Sequence, residues 1–232
     1  IGLSFTACNT TDDVDDDTTG SLTTTEYNDA VDAATNLPAL KIKDKGEGTG
    51  TITWTKDKVY IIEGFLFVNA GQTLTIEAGT VIKGKPGTGE QASALIVAKG
   101  GKINAQGTAN APIIFTAESD QLNGNLGTTS GLWGGLIILG DARLNSNPGQ
   151  SNIEGIPTTE TRGSYGGTND EDNSGTLSYV SIRHGGTDIG AGNEINGLSL
   201  GGVGSGTNLD HIEIFANADD GVEYFGGTAS IK

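Results

Sequence analysis

Short β-branched and aliphatic runs return at near-constant spacing through most of this chain, and that recurrence narrows the fold more than any other feature. TLTIEAGTVIKG, beginning at Thr73, returns as ALIVAKGGKINAQG, beginning at Ala94, with apolar triplets at Leu74 and Leu95, 21 residues apart. NGLSLGG from Asn196 returns 24 residues later as DGVEYFGG from Asp220, and LSYVSIRH from Leu177 superimposes on LDHIEIFA from Leu209. A β-sandwich pairs unlike strands and has no cause to repeat a turn at fixed spacing. A solenoid does, because each coil lies on the last and equal positions stack about 4.8 Å apart. The expected fold class is therefore all-β, a right-handed parallel β-helix.

The rungs can be written out. Leu95 to Val97, Lys102 to Gln106 and Pro112 to Thr116 make one; Leu136 to Leu139, Ala142 to Asn145 and Leu177 to Ile182 the next. Leu198 to Leu200, Val203 to Gly206 and Leu209 to Ile214 make a third. Val222 to Phe225 opens a fourth that TASIK leaves unfinished, so the helix is expected to be truncated at its C-terminal end. The irregular spacings become loop insertions at corners, over 117–133, 146–176 and 183–196. Such insertions cost little, since loop entropy grows slowly with length, and they are where solenoids carry binding surfaces. Val180 and Ile182 are expected to lie inward over Ile212 and Ile214. Tyr179 should lie outward over His211 and Arg183 over Phe215, with Glu213 diagonal to Arg183.

Glycine accounts for 38 of 232 residues without a collagen triplet, which suits short strands with many turns. Acidity is concentrated at the start: eight of the 29 acidic residues fall in the first forty positions, where there is no Lys or Arg. With a formal charge of -16 and no basic stripe, nucleic acid is excluded as a partner. Residues 1–7 read as the end of an export signal, 8–26 as an acidic tether and 27–50 as an N-terminal cap or linker. Residues 51–232 read as an incomplete β-helix domain. Thr23 and Glu26 are placed to cap a short helix through Ala34.

FTAC, ending at Cys8, resembles the lipobox of bacterial lipoproteins, in which the cysteine thiol is acylated. The following NTTDDVDDD is similar to the acidic tether that directs lipoproteins of Bacteroidota to the cell surface. Further along, VYIIEGFLFVNAGQTLTIEAGTVIKG, GLWGGLIILGDARL and NEINGLSLGGVGSGTNLDHIEIFANADDGVEYFGGT together resemble a family of β-helical surface or secreted proteins common in Bacteroidota. That resemblance implies a β-helix with outer-membrane, surface-exposed placement through the Cys8 lipid, the alternatives being secreted or periplasmic. It brings no substrate and no catalytic set. The leading expectation is a non-enzymatic lipoprotein that presents the β-helix to a glycan, a protein partner or an envelope complex, in adhesion or assembly. Two alternatives stay open: a lyase or hydrolase acting on polysaccharide, and a calcium-dependent adhesin.

Candidate chemistry is sparse. Asp219, Asp220 and Glu223 offer hard oxygen ligands for calcium, which needs six to eight oxygens. The alignment offers another account, because Asn196-Gly197 and Asp220-Gly221 fall on one corner and Asn or Asp before Gly suits a tight turn. The neighbouring coil places Ile195 and Asn196 beside Asp219 and Asp220, so it supplies no second carboxylate for an acid–base pair there. Asp170 and Asp172 on the longest loop are a second candidate for calcium. No cofactor is required beyond that ion. Trp54 and Trp133 are candidates for stacking on sugars. His184 and His211 lack zinc spacing, and no Gly-x-Ser-x-Gly elbow exists.

Overall fold

The computed structural model describes residues 25–147, 149–190 and 193–232. Its strands, numbered in chain order, wind into a three-sided coil. Face one stacks β2 (Pro38–Ile42), β4 (Val59–Ile62), β7 (Val81–Gly84), β10 (Ile113–Ala117) and the second halves of β14 (Gly175–Arg183) and β18 (Asn208–Phe215), all parallel. Face two stacks β3 (Ile52–Trp54), β6 (Thr73–Ile76), β9 (Lys102–Gln106) and the first halves of β14 and β18. Face three stacks β5 (Phe65–Val68), β8 (Ala94–Val97), β11 (Leu136–Leu139), β17 (Leu198–Val203) and β19 (Val222–Gly227). The parallel β-helix read from the repeats is the fold.

Alternation along each short strand then sends like residues inward at one height on every coil. Leu40, Tyr60, Ile82, Phe115, Ile182 and Ile214 form one continuous ladder on face one. Leu66, Leu95, Leu136, Leu198 and Val222 form another on face three. These ladders close into a single core that also contains Trp54 and Trp133. Val180 lies over Ile212 and Arg183 over Phe215, in the expected register, and Arg183 reaches Glu213 at 3.3 Å.

Three expectations need correction. Ala142 to Asn145 and Val203 to Gly206 are not the face-two strands of their rungs. That role falls to the first halves of β14 and β18, which turn the corner within one unbroken run. Tyr179 and His211 take positive φ, 50° and 47°, and make that corner without glycine. Such backbone is disfavoured for L-residues, and the two rings lie stacked on it at 4.1 Å and 16°. The proposed short helix is instead β1 (Thr25–Val31), antiparallel to β2. A helix there would leave the outer edge of β2 unpaired. The parallel ladder also starts at β2, ahead of the boundary drawn at residue 51.

Two hairpins leave the coil, β12 (Ser151–Asn152) with β13 (Ser164–Tyr165) and β15 (Asp188–Gly190) with β16 (Asn193–Glu194). Among the described residues no helix is long and apolar enough to cross a membrane. Cys8 and the acidic run after it lie outside the described residues.

Candidate functional site

FLFV, ALIV and LIIL, the sequences of β5, β8 and β11, are apolar on both sides, the mark of parallel strands buried on both faces. The inner side joins the core. The outer side of face three is covered by the loop between β11 and β14, whose Ile153, Ile156 and Tyr165 pack with Phe67, Ile96, Ile137 and Leu139. Ile195, from the segment before β17, joins the same layer. The loop therefore lies across the strands of face three, and each end of it builds a polar site.

At the β5 end the loop brings Arg162 over the ring of Phe67, 3.9 Å from its centre. Its guanidinium bonds Asp44 at 2.7 Å, Asn69 at 3.2 Å and Glu160 at 2.6 Å. The Asp44 side chain is buried and also accepts backbone N–H bonds from Gly46, Gly48 and Phe67. The Glu160 bond, with Asp44 behind it, pushes Arg162 above its ordinary pKa against burial, and Arg162 holds Glu160 below the usual carboxylate range. Beside this pair run two adjoining hollows of about 390 and 360 Å³. They share Lys43, Glu63, Gly64 and Glu90; one extends to Lys85 and Ser93, the other to Phe65, Phe67 and Arg162. Glu63 accepts from Lys85 at 2.7 Å and Lys43 at 3.1 Å, and those bonds, Lys85 first, hold its carboxyl low. The result is an open groove with fixed charges of both signs, half-buried Phe65 at its wall and the Phe67 ring covered by Arg162. Such a surface offers hydrogen bonds to hydroxyls and an apolar platform for a ring.

At the β19 end the loop presents Glu154. Burial, then the negative charges of Glu223, Asp219 and Glu194, raise its carboxyl above the ordinary value, while a bond from Asn196 works the other way. Asn196 is fully buried; its Nδ2 donates to Glu223 at 2.6 Å, and its Oδ1 is buried without a partner.

Of the residues singled out in the sequence, Asp219 and Glu223 act on Glu154 through their charge, and Glu223 accepts from Asn196. Asp220 serves the corner: its carbonyl accepts from Gly197 N–H and Asn217 Nδ2. Asp170 is engaged by Arg143 through both side chain and backbone, and Asp172 accepts from the Ser174 hydroxyl. Among the described residues no three His, Cys, Asp or Glu side chains are grouped to hold a metal ion. Trp54 and Trp133 are corrected outright, because both are fully buried and have no face for a sugar. Trp54 stacks on Tyr60 at 4.6 Å, and Trp133 donates from Nε1 to the Arg183 carbonyl. His184 bonds the Thr129 carbonyl at 2.6 Å, and His211 stacks on Tyr179. Glu154 and Arg162 were missed. The signal that could have found them was the apolar outer side of face three, which requires something to cover it.

A family model described as a pectate-lyase like beta helix domain matches residues 46–232. No curated protein and no solved structure matches the chain.

Proposed function

The chain belongs to the pectate-lyase-like β-helix family, and from that premise we propose that it is a non-enzymatic, surface-displayed carbohydrate-binding protein whose groove beside face three takes a saccharide. The observation that carries the reading is the groove itself. It is open along its length and lined by Glu63, Lys85, Glu90 and Arg162, with half-buried Phe65 beside them. Paired charges fixed by one another hold their geometry before a ligand arrives, which reduces the ordering cost of binding. An open channel also suits a long chain better than an enclosed chamber would.

Oligosaccharide binding by calorimetry tests this. Lys85→Ala combined with Glu90→Ala is expected to weaken the best saccharide by about tenfold, the loss of one charged hydrogen bond. The melting temperature should barely move, since exposed ion pairs contribute little. Failure of every saccharide to bind, or unchanged affinity in the variant, overturns the groove. Release of new reducing or unsaturated ends from neutral or acidic polysaccharide would replace the binding protein with the lyase or hydrolase.

Display at the surface rests on the resemblance of FTAC to a lipobox and of the acidic run to an export tether. Acyl chains on Cys8 would hold the protein to the outer membrane while the self-repelling tether spaces the domain away from it. Cys8→Ser is expected to move the full chain from the membrane fraction to the soluble one. Retention in the membrane fraction removes the anchor from the proposal.

A further inference from the structure

The charge balance of the groove narrows which saccharide it can take. Three cations line its two hollows, and each is already bonded to a carboxylate. Lys43 bonds Glu63 at 3.1 Å, Lys85 bonds Glu63 at 2.7 Å, and Arg162 bonds Asp44 at 2.7 Å and Glu160 at 2.6 Å. Four carboxylates line the same hollows: Asp44, Glu63, Glu90 and Glu160. Glu90 is the one left over, because the ion pairs of the three cations use the other three.

Glu90 lies where the hollows meet, since both include it, so a chain laid along the groove passes it in either one. It is exposed, on a short 3₁₀ turn, Gly89–Gln91, between β7 and β8. That turn is tied in place: Ala92 N–H bonds the Gly89 carbonyl at 3.1 Å, and the Thr187 hydroxyl bonds the nearby Gly87 carbonyl at 3.0 Å. The field beyond the groove has the same sign, because from residue 41 onward there are 21 acidic residues against 13 basic ones. A cleft with an excess of one sign repels ligands of that sign before contact is made. Hydrogen bonding works in the same direction. A sugar hydroxyl both donates and accepts, so it can bond either member of an ion pair without separating the two. A uronate carboxylate only accepts. It has nothing to give Glu63 or Glu90, and at Lys85 or Arg162 it competes with a carboxylate already in place.

We infer that the groove selects uncharged saccharide chains and excludes polyuronates, with Glu90 as the residue that sets the preference. The inference rests on the carbohydrate reading above and narrows its ligand to neutral glycans. Specificity of this kind comes from a repulsive element as much as from attractive ones. Glu63, Lys85 and Arg162 offer bonds to any hydroxylated chain, and Glu90 adds the repulsion that a chain of carboxylates meets and a neutral one does not.

The test is calorimetric titration of the full chain with three matched pairs of hexamers: glucose and glucuronate, mannose and mannuronate, galactose and galacturonate. Within a pair the two differ only in whether C6 carries a hydroxyl or a carboxylate. Each is titrated into wild type and into Glu90→Gln, which keeps side-chain size and removes the charge. The neutral hexamer that binds best is expected to exceed its uronate counterpart at least about tenfold at low ionic strength. That gap should narrow as salt is raised, because exposed charges are screened, and narrow again in Glu90→Gln. A uronate that binds as tightly as its neutral counterpart, or more tightly, overturns the charge selection and leaves the saccharide groove standing. A gap of the same size in Glu90→Gln overturns the role of Glu90. If no hexamer of either kind binds, the carbohydrate reading itself falls and the selection falls with it.

Discussion

Lys83→Met is expected to lower the stability of the domain by about 3–5 kcal/mol, the cost of breaking a buried ion pair from one side. For a domain of this size that corresponds to a fall of roughly 6–20 °C in melting temperature. Lys83 points outward from β7, yet it is fully buried, because the turn after β1 and the loop after β10 close over it. Its Nζ donates to Asp32 at 2.6 Å and to the Asp120 carbonyl at 2.8 Å. Without it, Asp32 keeps a carboxylate whose side chain is only 8% exposed. Asp32→Asn in the same chain should return part of the loss, since the uncompensated charge goes while the bonds that Thr35 and Ala34 make to the side chain can remain.

The effect has a pH signature. Burial alone would raise the Asp32 carboxyl, but the Lys83 bond and charge, with the Thr35 bonds, outweigh it and hold the group below its ordinary value. A carboxyl lowered by folding contributes its stability above the unfolded pKa of about 4 and loses it as pH falls through the folded one. The gap between wild type and Lys83→Met should therefore be full at neutral pH and shrink below about pH 4. Thermal melts from pH 7 downward measure both quantities. A loss under about 1 kcal/mol at neutral pH would mean that the pair behaves as a surface one.

Gly175→Ala is the second large effect. Gly175 opens β14 at φ 111°, and an added Cβ would stand 1.9 Å from the Ile103 carbonyl oxygen of the coil below. Neither backbone can move without breaking ladder bonds, so strain of about 1–3 kcal/mol is joined by an overpacking cost of about 1–3 kcal/mol. Gly46 supplies the control. Its φ is 104°, but nothing lies within 4 Å of its added Cβ. Gly46→Ala is expected to show the strain cost alone, and denaturant midpoints that fall equally in the two variants would show that contact with Ile103 contributes nothing.

The coil was legible because stacking demands that like residues recur, as Leu198 and Val222 do; the match of Leu74 with Leu95 was a misalignment, since Leu74 stacks on Ile103 on face two and Leu95 on Leu66 on face three. The corner at Tyr179 and His211 was not legible. Glycine is the expected residue at positive φ, and here ring stacking takes its place. The tryptophans misled because an aromatic side chain reads alike whether it packs a core or waits for a sugar. The polar sites were hidden for another reason. Arg162 and Asp44 are 118 positions apart, and Asn196 and Glu223, 27 apart, meet because the next coil sets Glu223 beside Ser199, three residues on from Asn196. The Asn-Gly and Asp-Gly match did disclose the corner, where the Asp220 carbonyl accepts from Gly197 N–H.

The loop across face three also changes how the coil can come apart. A solenoid held only by neighbouring rungs frays from its ends, one turn at a time. Here Arg162 is tied to Asp44 and Asn69 near the first coil, while Tyr165, three residues on, packs against Phe225 in the last strand of face three. A single segment thus laces the outermost turns to each other, so peeling one of them away must also lift the lace from those between. Opening becomes a collective event, and a filament-like stack acquires the all-or-none character of a globule.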